Sequence, residues 1–86
     1  MSLIETDGIE AILRRVINKI KNNISAHTEI TYTIQKRKID LYMINEVGGK
    51  GVTGFELRYT MDYLDKAGLH VYWVEPDGDR LRLQVM

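Results

Sequence analysis

The sequence contains no cysteine, a single proline and no long apolar run. Without cysteine, the chain has no disulfide bond, no cysteine-ligated zinc site and no thiol nucleophile. A helix that spans a bilayer needs about 20 apolar residues in a row. The first residues, 1–5, also lack the basic flank and apolar stretch of a signal peptide. These absences predict a cytoplasmic protein that has no membrane partner.

An excess of charge of one sign is also lacking, because twelve acidic residues balance twelve basic ones. A net charge of zero supplies no long-range field that would attract nucleic acid or anionic lipid. The chain has 86 residues, of which 44% are hydrophobic. This size and composition are those of one globular domain, and we predict a single α+β domain that spans residues 1–86. A core of that size leaves little room for a deep cavity. The size therefore favours a non-enzymatic protein with no cofactor and no small-molecule substrate.

Two segments are predicted to be helical. In the first, apolar residues recur at the helical period, at Ile9, Ile12, Leu13, Val16, Ile17, Ile20 and Ile24. Asp7 and Glu10 are the predicted capping pair of this helix. The second helix is predicted to begin at Thr53, which forms a capping box with Glu56, and to end at Gly68, which supplies a left-handed turn.

The remaining segments predict strands. Apolar and polar residues alternate over 29–35, which is typical of a strand with one buried face. The end of the chain predicts a hairpin, in which strands 69–74 and 81–85 flank a Pro-Asp-Gly turn within 75–80. Residues 39–46 fit either a strand or a helix face. We prefer a strand, because the strand at 29–35 needs an antiparallel neighbour.

The predicted fold is thus a two-layer α-β-β-α-β-β sandwich, with two helices on one face of a four-stranded antiparallel sheet. If residues 37–47 were helical, the order would become α-β-α-α-β-β, that of a winged helix. The stretch Leu57–Val85 resembles the end of such a domain, since a helix ending in Ala-Gly-Leu is followed by a hairpin. The connection over 48–54 is long for a helix-turn-helix turn, so the sandwich is preferred.

Five basic residues are the candidates for nucleic-acid binding: Lys36, Arg37, Lys38, Arg80 and Arg82. In the sandwich they would share the helix-free face of the sheet. Basic side chains there can bind phosphates, and aromatic side chains can stack on nucleobases. The acids interleaved with them, and the neutral net charge, favour an ordinary solvated face instead.

The strand at 69–74 is apolar on both faces, and its candidate interface residues are Tyr72 and Val74. A strand with two apolar faces needs cover on both sides, either from the core or from a partner. The preferred function is therefore a small interaction or accessory protein that binds another macromolecule, as a homodimer. A nucleic-acid-binding module is the alternative, and a small enzyme comes third.

No catalytic or metal-binding residue is predicted. The glycine-rich segment 48–53 departs from the P-loop motif, because Gly51 rather than serine or threonine follows Lys50. The acidic turn at 75–79 lacks the spacing of an EF-hand. His27 and His70 have no serine or cysteine partner in a recognisable arrangement.

Overall fold

The computed structural model describes residues 2–36, 38–45 and 52–86, which form two helices and four strands. The elements are α1 (Ser2–Lys21), β1 (Thr28–Gln35), β2 (Lys38–Asn45), α2 (Gly54–Lys66), β3 (Val71–Asp77) and β4 (Arg80–Val85). Both helices lie on one side of an antiparallel sheet. This arrangement confirms the predicted two-layer α+β fold.

The strands lie in the sheet in the order β1-β2-β4-β3, so β1 and β3 form its two edges. Each edge strand belongs to a hairpin, β1 with β2 and β3 with β4, and the two hairpins join where β2 pairs with β4. The strand predicted over 39–46 is confirmed as far as Asn45. Residue 46 and the glycine-rich segment 48–51 lie outside the described residues.

The core lies between the sheet and the helices. Every second side chain of β2, namely Ile39, Leu41 and Met43, points towards the helices and is buried. The other buried apolar residues are Leu13, Val16, Ile17, Ile20, Ile30, Leu64, Leu83 and Val85. Burying a side chain of this size contributes about 1.5–3 kcal/mol to folding, so the alternating pattern fixes which face of the sheet carries the helices.

Two predicted boundaries are wrong. Helix α1 begins at Ser2 rather than at a cap on Asp7, since residues 3–5 are good helix formers and extend the helix past that residue. The final turn is also shorter than 75–80, because β3 runs to Asp77 and β4 begins at Arg80. Pro76 is therefore part of an edge strand, a place where its missing N–H breaks no bond of the sheet.

The N-terminus of α2 is tied to the first residue of β1. The predicted capping box is confirmed: the Glu56 amide donates to Thr53 Oγ1 at 3.1 Å, and the Thr53 amide donates to Glu56 Oε1 at 3.3 Å. The other carboxylate oxygen of Glu56 accepts a hydrogen bond of 2.6 Å from the buried Thr28 hydroxyl. One carboxylate thus caps the helix and positions the start of the edge strand.

Candidate functional site

The predicted arginines of β4 lie on the helix-free face of the sheet, where carboxylates bind both of them. Arg82 lies 3.2 Å from Glu75 and 3.3 Å from Asp40, measured between nitrogen and oxygen. Arg80 lies 2.9 Å from Asp77. The hydrogen bond that Arg82 donates to the Asp40 carboxylate raises the pKa of Arg82. The positive charge of both side chains is therefore balanced within the sheet.

Arg80 also stacks on an aromatic ring, with its guanidinium carbon 4.0 Å from the centroid of Tyr42. This geometry is that of a cation–π contact. The ring belongs to β2 and reaches Arg80 because Tyr42 lies opposite Arg82 in the register of β2 and β4. The aromatic ring on this face thus comes from β2, and an arginine of the same chain already covers it.

The described basic candidates fall into two groups. Lys36 and Lys38 are exposed at the turn between β1 and β2. Arg80 lies opposite Ile44, six residues along β2 from Lys38, which corresponds to about 20 Å. Arg37 lies outside the described residues. The four basic residues that the structure describes therefore do not form one continuous patch.

The predicted interface strand is the edge strand β3. Tyr72 is 43% exposed and Trp73 is 54% exposed. Val74 lies opposite Leu83 and packs against the core. Of the two predicted interface residues, Tyr72 is therefore at the surface and Val74 contributes to the core, while Trp73 adds a second exposed ring.

The outer edge of β3 is poorly shaped for pairing with another strand. A β-bulge interrupts its register between Val71 and Trp73. The pair Asp77–Arg80 closes a two-residue turn, so the backbone of Pro76 faces away from β4. Proline has no N–H to offer a new strand. A bulge and a proline are common ways to protect a sheet edge from pairing.

The outer edge of β1 has neither protection. Strand β1 pairs with β2 over all eight of its residues without a register shift, and Thr28–Gln35 contains no proline. The pair Gln35–Lys38 closes a two-residue turn, so alternate residues of β1 turn their N–H and C=O groups outward. These residues are Ile30, Tyr32 and Ile34. Within the described part of the chain, no other backbone group bonds to them on that side.

Helix α1 borders this open edge through one hydrogen-bonded cluster. The Tyr32 hydroxyl donates to Glu10 Oε1 at 3.0 Å and accepts from Arg14 Nε at 3.2 Å. Glu10 and Arg14 also form an ion pair at 2.9 Å. The cluster fixes the Tyr32 side chain on the helix side and leaves its backbone groups facing outward.

A second surface feature, the helix groove, lies between α1 and α2 on their exposed side. It has a volume of about 380 Å³ and is lined by Ile12, Arg15, Val16, Lys19, Tyr63, Lys66 and Ala67. Among these lining residues there is no carboxylate. None of its three cations takes part in an ion pair with any residue whose side chain the structure describes.

An aromatic row extends the helix groove along α2. The ring of Tyr63 lies 5.1 Å from that of Tyr59, and the ring of Tyr59 lies 5.8 Å from that of Phe55. These residues are spaced four apart and so share one face of the helix. Phe55 is 68% exposed, and Lys66 Nζ lies 5.6 Å from the Tyr63 centroid at the other end. The row is a partly exposed aromatic strip beside a basic groove.

Sequence reasoning missed both the open edge and the helix groove. The i, i+4 spacing of Phe55, Tyr59 and Tyr63 is visible in the sequence and signals the aromatic row. No sequence signal identifies β1 as an edge strand, because edge position depends on how the two hairpins join. Ile12 belongs to the predicted apolar stripe of α1, so the sequence pattern alone assigns Ile12 to the core, although the structure exposes it.

Comparison with protein-family models, with curated proteins and with solved structures finds no match to this chain. In the described ranges, no helix is long and apolar enough to cross a membrane. No group of three acidic or histidine side chains there is placed to hold a metal ion.

Proposed function

We propose that this protein is a non-enzymatic interaction protein that acts as a homodimer and binds another macromolecule. The observation that carries the dimer is the open, regular and unprotected edge of β1. An edge strand of this kind is a template for a further strand. A second copy supplies such a strand through its own β1, which joins the two sheets into one of eight strands.

A two-fold axis at Tyr32 pairs residues 29–35 of β1 with those of its copy. This register leaves out Thr28, whose amide already donates to the Ser25 carbonyl. Tyr32 then faces the partner's Tyr32, and Ile30 faces Ile34 of the partner subunit. These residues turn their backbone groups outward, so each of these pairs can exchange two N–H···O bonds. The inward side chains form an apolar row that continues the core across the junction.

The exposed side chains of β1 are compatible with this register. Thr31 faces Thr33 of the partner subunit, and threonine pairs across strands are favourable. Glu29 faces the partner's Gln35, so no like charges oppose each other. The cluster of Glu10 and Arg14 lies beside its own copy, where each acid can meet a base of the other chain.

Two double variants test this register by sedimentation equilibrium. The wild type should approach twice the 10.0 kDa mass of one chain as its concentration rises. Thr31→Lys/Thr33→Lys sets two pairs of lysines against each other and should raise the dimer dissociation constant at least about tenfold. Thr31→Glu/Thr33→Lys is the matched control, because each new carboxylate then faces a new ammonium group and the dimer should be retained.

Amide hydrogen exchange gives a second readout of the same interface. The outward amides of Ile30, Tyr32 and Ile34 should exchange slowly in the wild type and quickly in the double-lysine variant. The outward amide of Val74 on β3 should exchange quickly in both. A wild type that stays monomeric up to about 200 μM, or a dimer in which these amides exchange freely, would overturn the proposal.

Nucleic-acid binding through the five basic candidates stays a prediction. Lys36 and Lys38 are exposed, which suits contact with phosphates. Arg80 and Arg82 are engaged by Asp77, Asp40 and Glu75, so no observation favours this function over protein binding.

A further inference from the structure

We infer that the helix groove binds an acidic amphipathic helix of a partner protein. The inference rests on the proposed function in one respect, that the chain works by binding other proteins. It concerns a different surface from the dimer, since the groove lies between the helices and the dimer forms at the edge of the sheet. The two can therefore be tested separately.

The apolar part of the groove provides the anchor. Val16 forms a buried floor, and Ile12 is 39% exposed beside it. The aromatic row from Phe55 to Tyr63 continues this surface over nine residues of α2, a rise of about 12 Å. A helix with apolar side chains on two or three successive turns covers a strip of that length.

The charged part of the groove determines which helix fits. Arg15, Lys19 and Lys66 surround the apolar floor without a carboxylate among the lining residues. The arginines of the sheet face, by contrast, are matched by acids of neighbouring strands. A partner that carries aspartate or glutamate beside its apolar anchors supplies the missing negative charge.

The shape of the groove favours a helix over a strand. Both walls are helices whose backbone groups are bonded internally, so they offer side chains and not an open strand edge. A third helix can lie in such a groove with its side chains between those of the two walls. A concave surface of this kind also suits a protein segment better than a flat anionic membrane.

The test uses fluorescence anisotropy with labelled model peptides of about 18 residues, long enough to form a stable helix on binding. The first peptide has leucine at helical spacing and glutamate elsewhere. The second has the same pattern with lysine in place of glutamate, and the third is a scrambled version of the first. We expect only the first to bind, with a dissociation constant of tens of micromolar that rises between about 50 and 200 mM salt.

Charge reversal in the groove identifies the surface. Arg15→Glu/Lys19→Glu should weaken binding of the acidic amphipathic peptide at least about tenfold. Lys21→Glu/Lys38→Glu makes the same change in charge outside the groove and should alter it less than about twofold. The double-lysine variant of β1 should bind the peptide like the wild type. That result would separate a failure of the dimer from a failure of the groove.

Three outcomes would overturn the inference. The first is no binding of the acidic amphipathic peptide at about 200 μM protein. The second is equal binding of the scrambled or the lysine peptide, which would mean nonspecific contact. The third combines two results: the acidic peptide does not bind, and the protein sediments with vesicles that contain phosphatidylglycerol. The variant Arg15→Glu/Lys19→Glu would lose this sedimentation. That result would assign the groove to an anionic membrane.

Discussion

The two hairpins of the sheet differ most in their outer strands. Strand β3 carries a bulge and Pro76 along its outer edge, and its Glu75 is tied to Arg82 of the next strand. Strand β1 is regular over eight residues. At its centre, the side chains on the helix-free face are the short polar ones of Thr31 and Thr33. A sheet that protects one edge and not the other has a defined direction in which it can grow.

The same contrast holds for the charges on the two sides of the molecule. On the sheet face, the arginines of β4 are matched by acids on β2 and β3. In the helix groove, the three cations have no acid among the lining residues. Satisfied charges stabilise an arrangement within the chain, whereas unsatisfied ones are available to a partner. The comparison thus separates surfaces that maintain the fold from surfaces suited to binding.

The largest expected effect comes from releasing the start of β1. Glu56→Ala removes the capping box of α2 and leaves the buried Thr28 hydroxyl without its acceptor. Loss of a cap and of a buried hydrogen bond should lower the free energy of unfolding by about 2–3 kcal/mol. Urea unfolding followed by circular dichroism measures this loss. Exchange of the β1 amides should accelerate more than that of the β3 amides.

The charge of Glu56 makes part of this stability depend on pH. Burial alone raises the pKa of Glu56, but hydrogen bonds from Thr28 and Thr53 outweigh it and bring the pKa below its ordinary value of 4.5. The stabilisation is therefore complete above pH 4.5 and is lost as the pH falls through the folded-state pKa. The stability difference between the wild type and Glu56→Gln should shrink below that pH. A difference that stays constant from about pH 7 to pH 3 would contradict this account.

The second prediction removes a protection from β3. Pro76→Thr restores an outward N–H group, which a strand of another molecule can use. One added hydrogen bond contributes about 0.5–1.5 kcal/mol, so association beyond the dimer should strengthen by up to about tenfold. Sedimentation velocity at increasing concentration would detect it as species larger than the dimer.

The matched control for this change is Pro76→Thr combined with the double-lysine variant of β1. In that background the β1 edge is blocked, so any remaining association must use β3. If Pro76→Thr leaves the distribution of species unchanged in both backgrounds, the bulge near Tyr72 alone is enough to close this edge.

The elements of the fold were largely predictable because they depend on short-range signals. The period of α1, the capping box at Thr53 and the alternation over 29–35 each specify one element locally. The start of α1 was not predictable from Asp7, because an acidic residue is favourable both at a cap and within the first turns of a helix. The turn at Gly78 is shorter than predicted, because proline is typical of turns and the sequence does not show that Pro76 lies in an edge strand.

The candidate surfaces were less predictable because they depend on distant pairs. Arg82 and Asp40 are forty-two positions apart and meet only because β2 pairs with β4. Knowledge of that pairing is needed to see that the arginines of β4 are neutralised. Glu56 and Thr60 are buried on the inner face of α2, although neither has the apolar side chain by which a sequence pattern identifies a buried position. Polar residues that bond within the core carry no hydrophobic signal.

The smallest expected effect concerns the turns at the tips of the two hairpins. Lys36 has a φ of 58° and Gly78 has a φ of 66°, so both occupy the left-handed region. Glycine adopts this conformation without strain, whereas lysine does not. Lys36→Gly should therefore raise the free energy of unfolding, and Gly78→Ala should lower it, each by about 0.5–1 kcal/mol. Urea unfolding of the two variants in the double-lysine background keeps dimerisation from obscuring the change. If both substitutions shifted stability in the same direction, the two turns would not share this backbone geometry, and the hairpins would differ at their tips as well as along their edges.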